Sequence, residues 1–220
     1  DLVSLINNHT LDRGAEGAVR TMETLDKIGL PYVGTTLPDR ERQGAYYFER
    51  NGVRFAVVSY TYGINNKLTE EDPVAKNLNR LAYFGNVVCD EKIFPTSWVD
   101  ELYPDMPREE QNVIRKKYEL AYLPVQIDGQ ILQEKVEEYF AQMAADIRKA
   151  KENADFVIFF PHIGGQFNTR VGKFSERVTE LAIEAGADAV VASHSHVVQR
   201  AEYRDGIPCA YSLGNFSMCP

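Results

Sequence analysis

Two of the chain's four histidines stand one residue apart, where the hydrophobic run of AVVASHSHVVQR (residues 189–200) ends. If that run continues as an extended strand, its period of two sends His194 and His196 to one face. Two imidazoles on one face are suited to holding a metal ion and poorly suited to filling a core. The plainer alternative is a partly exposed strand end with two hydrogen-bonded histidines. The other two histidines share the setting: His9 follows LVSLI (2–6) and His162 follows DFVIFFP (155–161). In open α/β sheets ligands gather at the carboxyl ends of strands. Three such ends would bring four imidazoles to one edge, and neutral imidazole is a ligand for zinc, manganese or iron. Nearby, Asn8 offers a carbonyl oxygen, and Gly164 and Gly165 let backbone approach a bound group closely. Asp12 has two readings, a partner that orients His9 or the N-cap of the helix that follows.

The elements that must position these residues follow from hydrophobic spacing. Ala15, Ala18, Val19, Met22, Leu25 and Ile28 recur at three- and four-residue steps, which predicts a helix ending at Gly29. PYVG follows as a short strand. Residues 45–63 read as two strands joined by Asn51-Gly52, a strong hairpin signal. A long helix is expected over 131–153, with Leu132, Val136, Phe140, Met143 and Ile147 on its buried stripe. A further helix ends at Gly186, DAVVAS (188–193) forms the next strand, and a hairpin turns at Asp205-Gly206. Strands alternating with helices predict an α/β fold with a mixed sheet. Residues 65–124, rich in proline and mixed charge and holding a helix from about 108 to 118, interrupt this pattern and read as an inserted subdomain or lid. The domain expectation is therefore a core of 1–64 and 125–220 interrupted by 65–124.

The bulk numbers narrow the function. At 220 residues, 44% hydrophobic and 25% charged, the chain can bury a full core. A net charge of −8 argues against nucleic acid, whose phosphates need a basic surface, but leaves room for an anionic ligand beside bound cations. Cys89, Cys209 and Cys219 lack metal-type spacing, and an odd count is no disulfide framework. There is no apolar run of bilayer-spanning length and no signal peptide. The start at Asp1 reads as that of a fragment or processed chain.

Four motifs in this order, NNHTLDRG, PHIGGQF, ASHSHVVQ and YSLGNF, resemble the capsule and poly-γ-glutamate biosynthesis protein family of the calcineurin-like metallophosphoesterase superfamily. The resemblance implies a four-layer α/β/β/α sandwich of the metallophosphoesterase type with two divalent metal ions at one edge. Asn8, His162 and His194 would then ligate metal, with His196 on the second ion. His9 would protonate the leaving oxygen, supported by Asp12. Gln166, Arg170 and Asn215 would meet the substrate. Gln166 stands where the family commonly has glutamate, Ile163 where it has tryptophan, and Ala192-Ser193 where the last motif usually begins glycine-histidine. The family's first acidic ligands precede the asparagine-histidine motif, so the domain is expected to be N-terminally incomplete here. Arg170, Lys173 and Arg177 could line a basic groove or simply form a solvated helix start. The activity implied is a metal-dependent hydrolase acting on a phosphoester or a polyglutamate-type polymer; the alternative is a non-catalytic accessory in polymer assembly or export. The implied setting is extracytoplasmic and membrane-associated, within a capsule-synthesis membrane complex.

Overall fold

The all-apolar run Phe156–Phe160 has the pattern of a strand covered on both faces. In the computed structural model it lies within strand β5 (Phe156–Ile163), inside a seven-stranded sheet. The structure describes residues 1–65, 72–81, 99, 102–121, 129–167 and 169–215, without the side chains of 115–121 and 129–136. The expected stripe residues Leu132 and Val136 therefore lie outside the described side chains, as does most of the segment around Trp98.

β5 runs parallel to β4 (Val53–Thr61) on one side, and to β6 (Ala189–Val191) and β7 (Ser193–His194) on the other. Two hairpins close the edges: β3 (Tyr46–Arg50) with β4, and β8 (Ala201–Arg204) with β9 (Ile207–Ala210). Their turns are the expected Asn51-Gly52 and Asp205-Gly206, all four residues at positive φ, as a type I′ turn requires.

Alternation along these strands sorts the two faces. Ala56, Val58 and Tyr60 of β4 join Val157, Phe159 and Ile163 of β5 in one core with two helices. Those helices, here α3 (Gly129–Asn153) and α4 (Lys173–Glu184), contribute Phe140, Met143, Ile147, Val178 and Ala182. The opposite face meets a small parallel sheet of β1 (Val3–Ser4) and β2 (Tyr32–Val33), where Ser4 Oγ lies 2.8 Å from Ser59 Oγ. Helix α1 (Gly14–Ile28) closes a second core over that sheet with Ala18, Ile6, Leu11 and Ile64. It ends at Gly29 in the left-handed conformation, as the sequence predicts. The layers thus run helix, sheet, sheet, helix, the second sheet having two strands among the described residues.

A further helix, α2 (Arg108–Ala121), extends three residues beyond the expected span. Residues 72–81 are built into both cores: Val74, Ala75 and Leu78 are buried in the smaller, Leu81 in the larger, and the Thr61 amide donates to the Asn79 carbonyl at 3.0 Å. A half-buried ion pair ties the 40–44 loop to α3. The Arg42 guanidinium grips both Asp146 oxygens at 2.7 and 2.8 Å, while Tyr60 donates its hydroxyl to the same carboxylate. Burial, and then the Asp146 charge, push the Tyr60 hydroxyl pKa far above its ordinary value, so it stays protonated and donating.

Gly34, directly after β2, has φ +97, and a Cβ there would lie 2.2 Å from Ile6 Cγ2. Gly34→Ala is therefore expected to destabilise by about 1–3 kcal/mol from backbone strain alone, with the clash adding to it. Thermal unfolding checks this; a melting temperature within about 1 °C of the parent would rule it out.

Candidate functional site

The turn after β1 is held by its own side chains. Thr10 Oγ1 accepts from the Asn7 amide at 2.9 Å and faces the Leu5 and Asn7 carbonyls, while Asn7 Oδ1 accepts from the His9 amide at 2.8 Å. This knot, anchored by buried Leu11, turns Asn8 inward and leaves His9 exposed. His9 Nδ1 lies 2.8 Å from Asp12 Oδ2. A carboxylate only accepts, so Nδ1 carries the proton and Nε2 is the free, chemically available nitrogen. Asp12 caps nothing: the N-cap of α1 is Arg13, with no side-chain hydrogen bond. Of the two readings of Asp12, the structure keeps the orienting one.

His162 is the penultimate residue of β5 rather than a residue beyond the strand, a correction to the expected strand end. The sheet continues past Phe160 because Thr61 of β4 and Ser193 of β7 pair with His162 on either side. Its Nε2 stands 2.9 Å from Asn8 Oδ1 and 3.2 Å from His194 Nδ1. Its Nδ1 lies 3.0 Å from Ser193 Oγ. A hydroxyl both donates and accepts, so Ser193 satisfies Nδ1 in either imidazole tautomer. Burial pushes the His162 pKa down to about 4, with the His196 and His9 charges acting the same way. The ring is therefore neutral at pH 7, the form in which imidazole offers a lone pair.

The His-x-His pair is not the extended strand that its sequence suggests. His194 has φ +108 and His196 φ +58, so both leave the ordinary β region. The ring centroids nevertheless sit 6.2 Å apart on the same edge. Tyr62, just past β4, lays its ring 4.7 Å from that of His194. Phe167 stacks on His196 at 5.5 Å, and its amide donates to the Ser195 carbonyl at 2.7 Å. His196 Nδ1 meets Asn215 Oδ1 at 2.8 Å, which again leaves Nε2 free.

Asn8 and His194 thus both meet His162, with His9–Asp12 and His196–Asn215 beside them. Gln166 is half-buried in the loop after β5; Arg170 is exposed, its carbonyl accepting from Gln199 Nε2 at 3.2 Å. Of the groove candidates, Lys173 is exposed and Arg177 is 3.9 Å from Glu180. Sequence reasoning missed Asn65, whose Oδ1 accepts from Asn8 Nδ2 at 3.1 Å. It also missed Tyr62 and Phe167; the turn formers after SYTYG were the available signal for Asn65.

Neighbouring ligands of an ion with bonds of about 2.0–2.2 Å lie about 2.8–3.6 Å apart in octahedral or tetrahedral geometry, and the spacings at His162, 2.9 and 3.2 Å, fall in that range. Two imidazoles and one amide oxygen could therefore form one side of a cation's shell. Among the described residues no three His, Cys, Asp or Glu side chains form such a group, and Asn8, His162 and His194 include no carboxylate or thiolate.

A family model for the bacterial capsule synthesis protein PGA_cap matches residues 1–218. The chain belongs to that family. It is similar to the capsule biosynthesis protein CapA of Bacillus anthracis, with 26% identity over 218 residues covering 98% of this chain and 39% of that protein. It is also similar to the PGA biosynthesis protein CapA of Bacillus subtilis (strain 168), with 34% identity over 70 residues, 32% of this chain and 18% of that protein. Among solved structures, a putative 5'-nucleotidase from Staphylococcus aureus aligns with a TM-score of 0.43 and 15% identity, over 96% of this chain and 32% of that one. The chain spans less than half the length of the curated relatives that it matches along its whole length. In this PGA_cap chain all four motifs noted above reach the histidine edge, through Asn8, His162, His194 and Asn215.

The lowered His162 pKa gives a pH dependence with a definite sign. The unfolded chain binds a proton at this histidine near its ordinary pKa of about 6.5. Between about 4 and 6.5 the unfolded state therefore holds more protons, and stability rises with pH through that window. The contribution is complete above about 6.5 and is lost as pH falls toward 4. In chelator, urea unfolding is expected to show a smaller loss from about pH 7 to about pH 5 in His162→Gln than in the parent. Equal losses would contradict the assignment.

Proposed function

We propose that this PGA_cap chain carries the metal-dependent hydrolase centre of a capsule biosynthesis protein. The observation that supports this reading is that Asn8 Oδ1 and His194 Nδ1, from two other chain segments, lie 2.9 and 3.2 Å from His162 Nε2. Asn8, His162 and His194 would hold one divalent cation, manganese, zinc or iron, and His196 would face a second. Such cations supply Lewis-acid stabilisation of charge developing on a phosphoryl or carbonyl oxygen. The rest is done by the chain's own groups. His9, held through Nδ1 by Asp12, would act as the imidazolium and pass its Nε2 proton to the leaving oxygen, returning to the neutral Nδ1–H ring. Tyr62 and Phe167 pack the imidazoles of His194 and His196 and keep their rotation small.

The substrate proposed is anionic: a phosphoester, or a glutamyl polymer of the cell envelope. Gln166 and Arg170, on the loop beside the histidines, and Asn215 against His196 are the residues proposed to meet it. The capsule-biosynthesis names of the relatives support a place at the cell envelope; contact with a membrane synthesis complex is part of the proposal. No helix among the described residues is long and apolar enough to cross a membrane.

Elemental analysis of protein purified without chelator tests the centre. Stoichiometric metal is expected in the native protein and its loss in the His194→Ala/His196→Ala double variant. Absence of metal after adding zinc or manganese would remove the hydrolase reading and leave a non-catalytic role in polymer assembly or export. If the centre hydrolyses, His9→Asn should lower kcat by about 10²–10⁴-fold while metal content stays native. A rise in KM with kcat unchanged would reject His9 as the proton donor.

A further inference from the structure

An asparagine side chain has two nearly isosteric ends, an acceptor oxygen and a donor nitrogen, and only the oxygen can serve a cation. Asn8 is 5% exposed, so its amide cannot be sorted by water. Its Oδ1 faces His162 Nε2 at 2.9 Å, and its Nδ2 donates to Asn65 Oδ1 at 3.1 Å. The Asn65 backbone amide also donates to the Asn8 carbonyl, at 2.8 Å. The two residues are therefore clamped at two points, 57 positions apart in sequence.

We infer that Asn65 is the positioning residue for this centre: it fixes which end of the Asn8 amide faces His162. The inference rests on the metal-centre reading above. Because a donor must face an acceptor, the two amides can turn only together. Were both turned, Asn65 Nδ2 would donate to Asn8 Oδ1, and Asn8 Nδ2 would lie against His162 Nε2. That N–H would occupy the lone pair that a cation needs. In the present orientation Asn8 Oδ1 faces Nε2, where a cation can take the place of the Nε2 proton between them. Asn65 can hold this orientation because its own backbone is anchored. Ile64 is buried in the smaller core, Thr61 Oγ1 donates to the Gly63 carbonyl at 3.0 Å, and the Tyr62 amide donates to the His162 carbonyl at 3.0 Å. Asn65 itself is exposed, so replacing its side chain leaves the core intact.

The test titrates manganese into the purified protein and follows free Mn²⁺ by electron paramagnetic resonance. Asn65→Asp has only acceptors and locks Asn8 with its oxygen toward His162, so it should bind at least as tightly as the parent. Asn65→Leu removes the acceptor and should bind about 10–100-fold more weakly. Melting temperatures of both should stay near native, as for surface positions. In an Asn8→Ala background the Asn65→Leu change should have no further effect on affinity. Native affinity in Asn65→Leu, with the parent binding Mn²⁺, would overturn this inference alone. A parent that binds no Mn²⁺ would overturn the metal-centre reading itself.

Discussion

Parallel pairing of β5 with β4 and β7 is the constraint on which the site depends. It sets Thr61 and Ser193 on either side of His162. The same alternation that buries Val157, Phe159 and Ile163 beneath the helices turns His162 to the opposite face, where the turn after β1 delivers Asn8. A slip of one residue would exchange His162 for Ile163, sending an imidazole into the core and a branched aliphatic into the polar edge. Such a slip would leave two misplaced residues at once, so the register is defended by both faces of the sheet. Tyr62 benefits from the same pairing, since its amide is held by the His162 carbonyl while its ring covers His194.

Beyond the strand ends the backbone is forced out of its comfortable regions. Gly164, Phe167, His194 and His196 all have positive φ, and the two loops that carry them interlock through the Phe167 amide and the Ser195 carbonyl. Non-glycine residues in that region cost about 1–3 kcal/mol each. The cost is offset by the rigid sheet beneath, where Val190, Ala192 and Ile163 are fully buried. In the hairpins positive φ falls on glycine, Asn51 and Asp205, residue types that tolerate it, whereas at this edge it also falls on Phe167, His194 and His196.

Much of this was legible in the sequence, for definite reasons. Hydrophobic spacing located α1 and α3, Gly29 and the two Asn-Gly and Asp-Gly turns ended their elements as turn chemistry requires, and all four histidines came to one edge. The reading of Asp12 could not be settled from sequence, because a carboxylate ahead of a helix serves a backbone amide or a neighbouring imidazole equally well. The shape of the His-x-His segment was misjudged, since period-two alternation assumes an extended chain and positive φ at a histidine leaves no composition signal. Asn65 was missed because its partner lies 57 residues away and the turn formers around it mark a turn without singling out one asparagine.

The distance in sequence between Asn8 and His162, 154 residues, also governs when the edge can exist during synthesis. At about 5–20 residues per second, Asn8 leaves the ribosome roughly 8–30 s before the imidazole that it must meet. The turn before α1 can form early, since its Thr10 and Asn7 bonds are local. Through that interval a buried-to-be amide is exposed with its partner not yet made. Closing so long a loop gains nothing until β5 docks between β4 and β6. The chemistry-bearing edge thus cannot assemble until the segments that carry His162, His194 and His196 have all been made.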